Sequence, residues 1–397
     1  MFANAKRLDS MAFSPVRKVL EKAQELERQG RSIIHFEIGE PDFDTPSEII
    51  EAAKAGLDQR LTHYGPNRGL LTLRQAICQK LEEENDLCYS PETEILLTTG
   101  AAEGILDTIL AYINPGDEVI VFTPAYMNYY NILSMAGATV VEIPLREEEG
   151  FQVNTETLRE KITPKTRMLI INDPQNPSGT VYSAEVLEKI ANLVIDYNLL
   201  VLSDEIYERI TYNGVKHTSI ATFPGMKERT IVINGFSKAY AMTGWRVGYL
   251  AADEQLIPPI LKVHQYNTTC LPVFIQKGLG ETMNLPACRE KVTAMVQRFS
   301  ARRNILVEGL RAIPQLSVPE PEGAFYAFVN VSGTGMNGEQ FAQELLLAQG
   351  VALVPGGGFG QDFTNFVRIS YATSEENVAE GVRRIRKFVE ETGGCLR

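Results

Sequence analysis

Between residues 95 and 252 the chain carries seven short apolar runs: ILLTT (95–99), EVIVF (118–122), TVVEI (139–143), RMLIIN (167–172), LLVLSDE (199–205), TIVING (230–235) and VGYLAA (247–252). None alternates strictly between apolar and polar residues, so a strand built from any of them hides both of its faces. Helical periods such as 183–196 lie between several of the runs. The pattern predicts an α/β fold with an open, mostly parallel central sheet of about seven strands and helices on both faces. Ligands of such sheets bind where the strands end, so the residues just after each run are the candidates for chemistry.

The rhythm differs on either side. Ser14-Pro15 opens a helical period with Val16, Val19, Leu20, Ala23 and Leu26 on one stripe and Gly30 where the helix should stop. IIHFEIG then leads into EPDFDTP, whose prolines preclude a regular helix. Thr45-Pro46-Ser47-Glu48 has the form of a capping box, with the Thr45 hydroxyl expected on the Glu48 amide and proline at the first helical position. Beyond residue 283 a long helical stretch through 288–311 precedes short strand candidates at 324–329, 351–354 and 366–370, with helices near 337–348 and 374–390. These strands are too few to extend the main sheet and predict a smaller α+β domain. The expected division is a large domain over 48–283 and a small one from 284–397 joined by the N-terminal 1–47, which suits a chain of 397 residues. GGGFG at 356–360 marks a flexible or tightly turned loop.

Composition narrows the partners. Lys+Arg 38 against Asp+Glu 50 leaves a formal charge of −12, which disfavours nucleic acid and anionic membranes and points to small molecules. The cysteines at 78, 88, 270, 288 and 395 contain no C-x-x-C, so neither a disulfide framework nor a thiolate metal cluster is expected. No apolar leader or spanning stretch is evident, and the expected location is cytoplasmic. His35, His63, His217 and His264 lack local metal-ligand spacing and read as core or surface imidazoles. A G-x-S-x-G elbow is missing, and GGGFG lacks the Lys-Ser/Thr ending of a nucleotide phosphate loop.

Four features follow the apolar runs. LLTTGAAEG at 96–104 runs from strand to glycine turn to helix, where free amides and the Thr99 hydroxyl make a small anion nest. INDPQNPSG at 171–179 sets Asn172, Asp173 and Asn176 among prolines, as Asx turns or as ligand contacts. VLSDEIYERI at 201–210 ends a buried run in Asp204, a carboxylate that needs a cationic partner. NGFSKAYAMTGWRVGYL at 234–250 places Ser237 and Lys238 directly after a strand and Arg246 on the turn into the next. Lys238 alone is equally a solvated side chain or a desolvated nucleophile. One ligand suits all four features. Pyridoxal phosphate has an aldehyde for Lys238, a ring nitrogen for Asp204, a phenolic oxygen for Tyr207 and Asn176, and a phosphate for the 99–102 turn, including Ala101 and Ala102, with Ser237 and Arg246. Tyr126 in TPAYMNYY offers a stacking ring, with Tyr129 and Tyr130 close by.

These motifs resemble the class I/II, fold-type I pyridoxal-phosphate aminotransferases, near the branch of bacterial aspartate and aromatic aminotransferases, over nearly the whole chain. SKAYAMTGWRVGY is similar to the family's S-K-x-x-x-x-x-G-x-R-x-G-Y signature. The resemblance implies Lys238 as the covalent anchor and proton carrier, and Ser237 and Arg246 on phosphate. The D-E-x-Y match implies Asp204 at the ring nitrogen and Tyr207 at the phenolic oxygen. Asp173 departs from the family spelling, so Asn176-Pro177-Ser178-Gly179 alone carries over there. Tyr64 in HYGPNRG resembles a tyrosine that reaches the phosphate in a neighbouring subunit, which implies a homodimer with shared sites. Gly39 in FEIGEPDF resembles the glycine beside the substrate carboxylate, and Arg368 in NFVRISYA the arginine that clamps it, with Asn176 also on the substrate side.

The implied reaction moves an amino group from an L-amino acid to a 2-oxo acid by a ping-pong mechanism. C–S lyases and aminocyclopropane-carboxylate-type synthases share this scaffold and are the alternative. Some bacterial relatives hold a lysine for a distal carboxylate where this chain has Ala102, so a weaker preference for aspartate and broad use of aromatic or aliphatic donors is expected.

Overall fold

The computed structural model describes Phe2, residues 4–9, Met11 and residues 13–393; Cys395 lies outside them. The strands in chain order are β1 (Ile34–His35), β2 (Ile95–Thr98), β3 (Glu118–Thr123), β4 (Thr139–Pro144), β5 (Thr166–Asn172), β6 (Leu200–Asp204), β7 (Thr230–Gly235), β8 (Gly248–Ala251), β9 (Tyr326–Asn330), β10 (Val351–Ala352), β11 (Val354–Pro355) and β12 (Phe366–Ser370). Seven of them form one sheet in the order β2-β8-β7-β6-β5-β3-β4. The pairings from β4 through β7 are parallel, and β8 runs antiparallel to both neighbours. Each apolar run named above supplies one strand of this sheet.

Both faces of the sheet are buried, which explains the absent alternation. Val119 and Val121 of β3 join one core cluster together with Met168, Ile170, Leu202, Ile231 and Ile233. Their neighbours Ile120, Phe122, Leu169, Ile171 and Val201 point the other way into a second cluster. Successive side chains face opposite sides of a strand, so both sets are apolar, and each fully buried side chain contributes roughly 1.5–3 kcal/mol. Helix Ala184–Asp196 covers the second face, its start fixed by the Ser183 hydroxyl on the Val186 amide.

A smaller antiparallel sheet, β11-β12-β9, and the parallel pair β1-β10 stand apart from the main sheet. Helices Pro286–Arg311, Gly338–Gln349 and Glu375–Gly393 accompany them. The N-terminal helix Pro15–Arg28 buries Ala23 and Leu26 against Leu346 and Ala352. Among the described residues no helix is long and apolar enough to cross a membrane.

One local expectation fails. The 45–48 capping box does not form: the helix runs Ser47–Asp58 with Pro46 at its N-cap and no side-chain cap. The Thr45 hydroxyl instead donates to the Ala241 carbonyl at 2.9 Å. A half-buried tertiary acceptor on the loop after Lys238 has taken the hydroxyl from the local amide.

Candidate active site

The ends of β5, β6 and β7 open into a cavity of about 980 Å³ that also reaches β12 and the N-terminal segment. Asp204 is the last residue of β6 and is paired in register with Asn172, the last of β5. Its backbone carbonyl accepts from Asn172 Nδ2 at 3.0 Å and from the Asp173 amide at 3.1 Å. Its carboxylate accepts from Tyr129 Oη at 2.6 Å and from the Ile206 amide at 3.3 Å. Burial raises the Asp204 pKa to about 6, and the Tyr129 hydrogen bond resists the rise. At neutral pH Asp204 is therefore mainly an anion facing the cavity.

Lys238 follows β7 by three residues, and its Nζ donates to the Gly39 carbonyl at 2.5 Å. Burial, then the Arg368 charge, lowers its pKa to about 8. About one amine in ten is then unprotonated at pH 7, far more than for a solvated lysine. The Nζ lies 5.8 Å from the Tyr207 ring centre. Tyr207 Oη is 3.0 Å from Tyr326 Oη.

The far side of the cavity is built for an anion. Gly100, at φ +76°, turns the chain from β2 into helix Ala101–Tyr112, whose first amides have no intrahelical acceptor. Ala101, Ala102, Ser237 and Arg246 line the cavity here. Arg246, itself at φ +56°, lies so close that a Cβ on Gly100 would stand 2.5 Å from its Nη2. Thr99 does not line the cavity, and its amide goes to the Glu103 carboxylate.

Arg368 sits mid-strand on β12, opposite Phe328 of β9 and Val354 of β11. Its guanidinium lies 4.5 Å from the Tyr326 ring centre and 5.2 Å from that of Phe359. Nη1 donates to Asn176 Oδ1 at 3.2 Å, Nη2 donates to the Glu37 carbonyl at 2.8 Å, and the buried Nε has no partner. Gly39 lies alongside, where an added Cβ would stand 2.5 Å from Tyr326 Oη.

The cavity thus gathers Lys238, Asp204, Tyr207, Ala101, Ala102, Tyr126, Asn176, Ser237, Arg246, Gly39 and Arg368. It does not include Tyr64, which is 88% exposed in the single chain. Three contributors have roles that the sequence did not assign, although Asn172 and Tyr129 were named there. Tyr129 is the residue that grips Asp204, while Tyr126 packs edge-on against it at 5.6 Å and lines the cavity. Asn172 also orients Asn176 by accepting its amide at 2.8 Å. Tyr326 belongs to β9 and carries no motif. Asp173 turns away from the cavity, accepting from the Tyr182 amide at 2.9 Å and lying 2.8 Å from His217 Nδ1.

An anion, an amine and helix-start amides beside an arginine, all on one cavity, form a set that fits a flat cationic ring bearing an aldehyde and a phosphate. The orphaned Arg368 Nε leaves capacity for a carboxylate beside it. Fold and site together define a fold-type I pyridoxal-phosphate enzyme. The chain belongs to the family Aminotransferase class I and II, which matches over residues 31–385. It is 41% identical over 389 residues to the aspartate aminotransferase of Pyrococcus abyssi, covering 98% of this chain and 99% of that one. It is 40% identical over 385 residues to the aromatic-amino-acid aminotransferase 2 of Thermococcus litoralis, covering 97% and 98%. The solved structure of Thermus thermophilus aspartate aminotransferase with maleate superposes with a TM-score of 0.92 at 39% identity, covering 98% of this chain and 100% of that one. The protein is therefore an aminotransferase acting on amino and 2-oxo acids, and membership of the family implies pyridoxal phosphate as its cofactor.

Proposed function

We propose that this enzyme is a broad-specificity amino-acid:2-oxo-acid aminotransferase in which Lys238 bonds to the cofactor aldehyde, Asp204 faces the ring nitrogen and Arg368 holds the substrate α-carboxylate. The observation that carries this reading is the lysine itself: an amine lowered to about 8 in a cavity shared with a buried carboxylate and a buried guanidinium. Pyridoxal phosphate, when bound, supplies an electron sink for the charge left at the substrate α-carbon. The protein's residues do the rest. Lys238 Nζ, once freed, removes the α-proton and returns a proton on the other side of the transfer. Asp204, kept anionic with help from Tyr129, favours a positive charge on the group opposite it. Arg368 presents its free Nε and an Nη to one carboxylate while Asn176 and the Glu37 carbonyl hold the guanidinium plane. Ser237, Arg246 and the Ala101–Ala102 amides would hold the phosphate, Tyr207 and Asn176 would meet the phenolic oxygen, and Tyr126 would offer its ring for stacking. Tyr64, exposed in the single chain, completes the phosphate site of a second subunit, so the working unit is a homodimer.

The similar proteins include an aspartate and an aromatic-amino-acid aminotransferase, which supports donors of both kinds. Ala102 brings no charge to the cavity wall, and this argues against a dedicated dicarboxylate site. The test is a kcat/KM panel over aspartate, phenylalanine, tyrosine, alanine and methionine with 2-oxoglutarate as acceptor. Glutamate should form with several donors within about 100-fold of one another. Aspartate favoured by more than about 100-fold, roughly 2.7 kcal/mol of transition-state binding, would overturn the broad reading. Methanethiol, 2-oxobutyrate and ammonia from methionine, without glutamate from any donor, would overturn transfer itself.

A further inference from the structure

The helix that begins at the Gly100 turn carries two acidic residues one turn apart, Glu103 and Asp107, both buried. They meet His264 of helix Ile257–Asn267, which is fully buried. His264 Nδ1 lies 3.1 Å from Glu103 Oε1 and 3.6 Å from Asp107 Oδ2, and its Nε2 lies 3.0 Å from the Asn67 carbonyl. Both ring nitrogens face acceptors, and only the doubly protonated ring donates on both sides. Burial alone lowers the His264 pKa, but the Asp107 and Glu103 carboxylates beside the ring outweigh it and hold it at about 9. The other Glu103 oxygen accepts the Thr99 amide, immediately before the turn. Asp107 Oδ1 accepts from Asn267 Nδ2 at 3.2 Å, whereas its Oδ2 has no hydrogen bond. Asn67 in turn donates to the Thr269 carbonyl at 2.9 Å, so the loop after Tyr64 is tied to the same helix end.

This arrangement answers an electrostatic conflict. A carboxylate in the first turn suits the helix dipole but repels any phosphate placed at the same helix end. We propose that His264 is a positioning residue for the cofactor phosphate, neutralising Glu103 behind the Gly100 turn and tying that turn to the loop that carries Tyr64. The proposal rests on the reading of that turn as the phosphate seat.

The experiment titrates the apo-enzyme with pyridoxal phosphate and, separately, with pyridoxal, which has the same ring and aldehyde but no phosphate. In His264→Gln the dissociation constant for pyridoxal phosphate should rise about tenfold while that for pyridoxal changes less than about twofold. In Glu103→Gln/His264→Gln most of that loss should return, because the charge needing neutralisation is gone; a merely structural histidine gives no such recovery. Equal weakening of both ligands, unchanged affinity for both, or no recovery in the double variant overturns the proposal. Should His264→Gln fail to fold, Glu103→Gln alone decides: it should bind pyridoxal phosphate at least as tightly as the wild type, and a phosphate-selective loss there overturns the electrostatic account. A wild type that binds the two ligands equally removes the phosphate seat itself, an outcome distinct from a wild type that discriminates while His264→Gln does so equally well.

Discussion

The two ends of the cavity are held by different means. Around Asp204 the supports are neighbours in the sheet: Asn172 stands in register beside it, and two hydrogen bonds reach its carbonyl from the end of β5. Around Arg368 the supports come from three separate parts of the chain, with the side chain reaching from the small sheet to Asn176 and to the Glu37 carbonyl. The first end is fixed by backbone pairing and cannot shift without breaking the sheet. The second is a span between units, set by a few side-chain contacts. On the proposed function, reactivity is lodged where the sheet pairs, and grip on the substrate where side chains bridge the small sheet to the large one.

The contrast predicts that lesions at the two ends separate kinetically. Lys238→Ala should lower kcat by about ten-thousand-fold, since anchor and proton carrier are lost together, with borohydride no longer fixing cofactor to the chain. Residual turnover above about one per cent would break the comparison at its rigid end. Arg368→Lys should reduce kcat/KM by about 100-fold, chiefly through KM, because an ammonium cannot reproduce the planar fork that Asn176 and Glu37 hold. A matching fall in kcat with KM unchanged would show that this end acts in the chemistry and not in grip alone.

The smallest expected effect on turnover lies under the rigid end. His217 is buried between Asp173, 2.8 Å from Nδ1, and Glu205, 3.2 Å from Nε2. Burial alone lowers its pKa, but the hydrogen bond to Asp173 and the Glu205 carboxylate beside Nε2 raise it from 6.5 to about 10. A raised folded-state value means that the stabilisation is complete below pH 6.5 and is lost as pH climbs through about 10. His217→Gln should therefore melt roughly 5 °C lower than the wild type near pH 6, from about 3 kcal/mol of broken buried pairing, and the deficit should shrink toward pH 10. A deficit independent of pH would mean that His217 serves by shape and not by charge.

Much of this is legible in the sequence alone. The β-strands of the main sheet were readable because burial on both faces leaves unbroken apolar runs, a local signal. Lys238 and Asn176 were readable because each follows such a run by a few positions, Asp204 because it closes one, and Arg246 because it stands directly before the next. Tyr129 was hidden for the opposite reason: it is one of three tyrosines within five residues, and only the helix Met127–Ala136 decides which of them meets an aspartate 75 positions away. Tyr326 meets Tyr207 across 119 positions. The buried histidines looked inert because their carboxylate partners are remote in the chain, 161 positions in the case of His264 and Glu103. The Thr45 capping box misled because a local pattern carries no information about an acceptor 196 positions distant.

Gly39 shows how space, as opposed to chemistry, constrains such a site. Its Cα faces Tyr326 Oη with no room for one more carbon, while its carbonyl holds the Lys238 amine. The position contributes no side chain, yet a single added methyl group would displace either the tyrosine or the segment that carries the carbonyl. In a library of random variants this residue should behave as an invariant, purged as strictly as the lysine it holds, although no proton or electron ever passes through it.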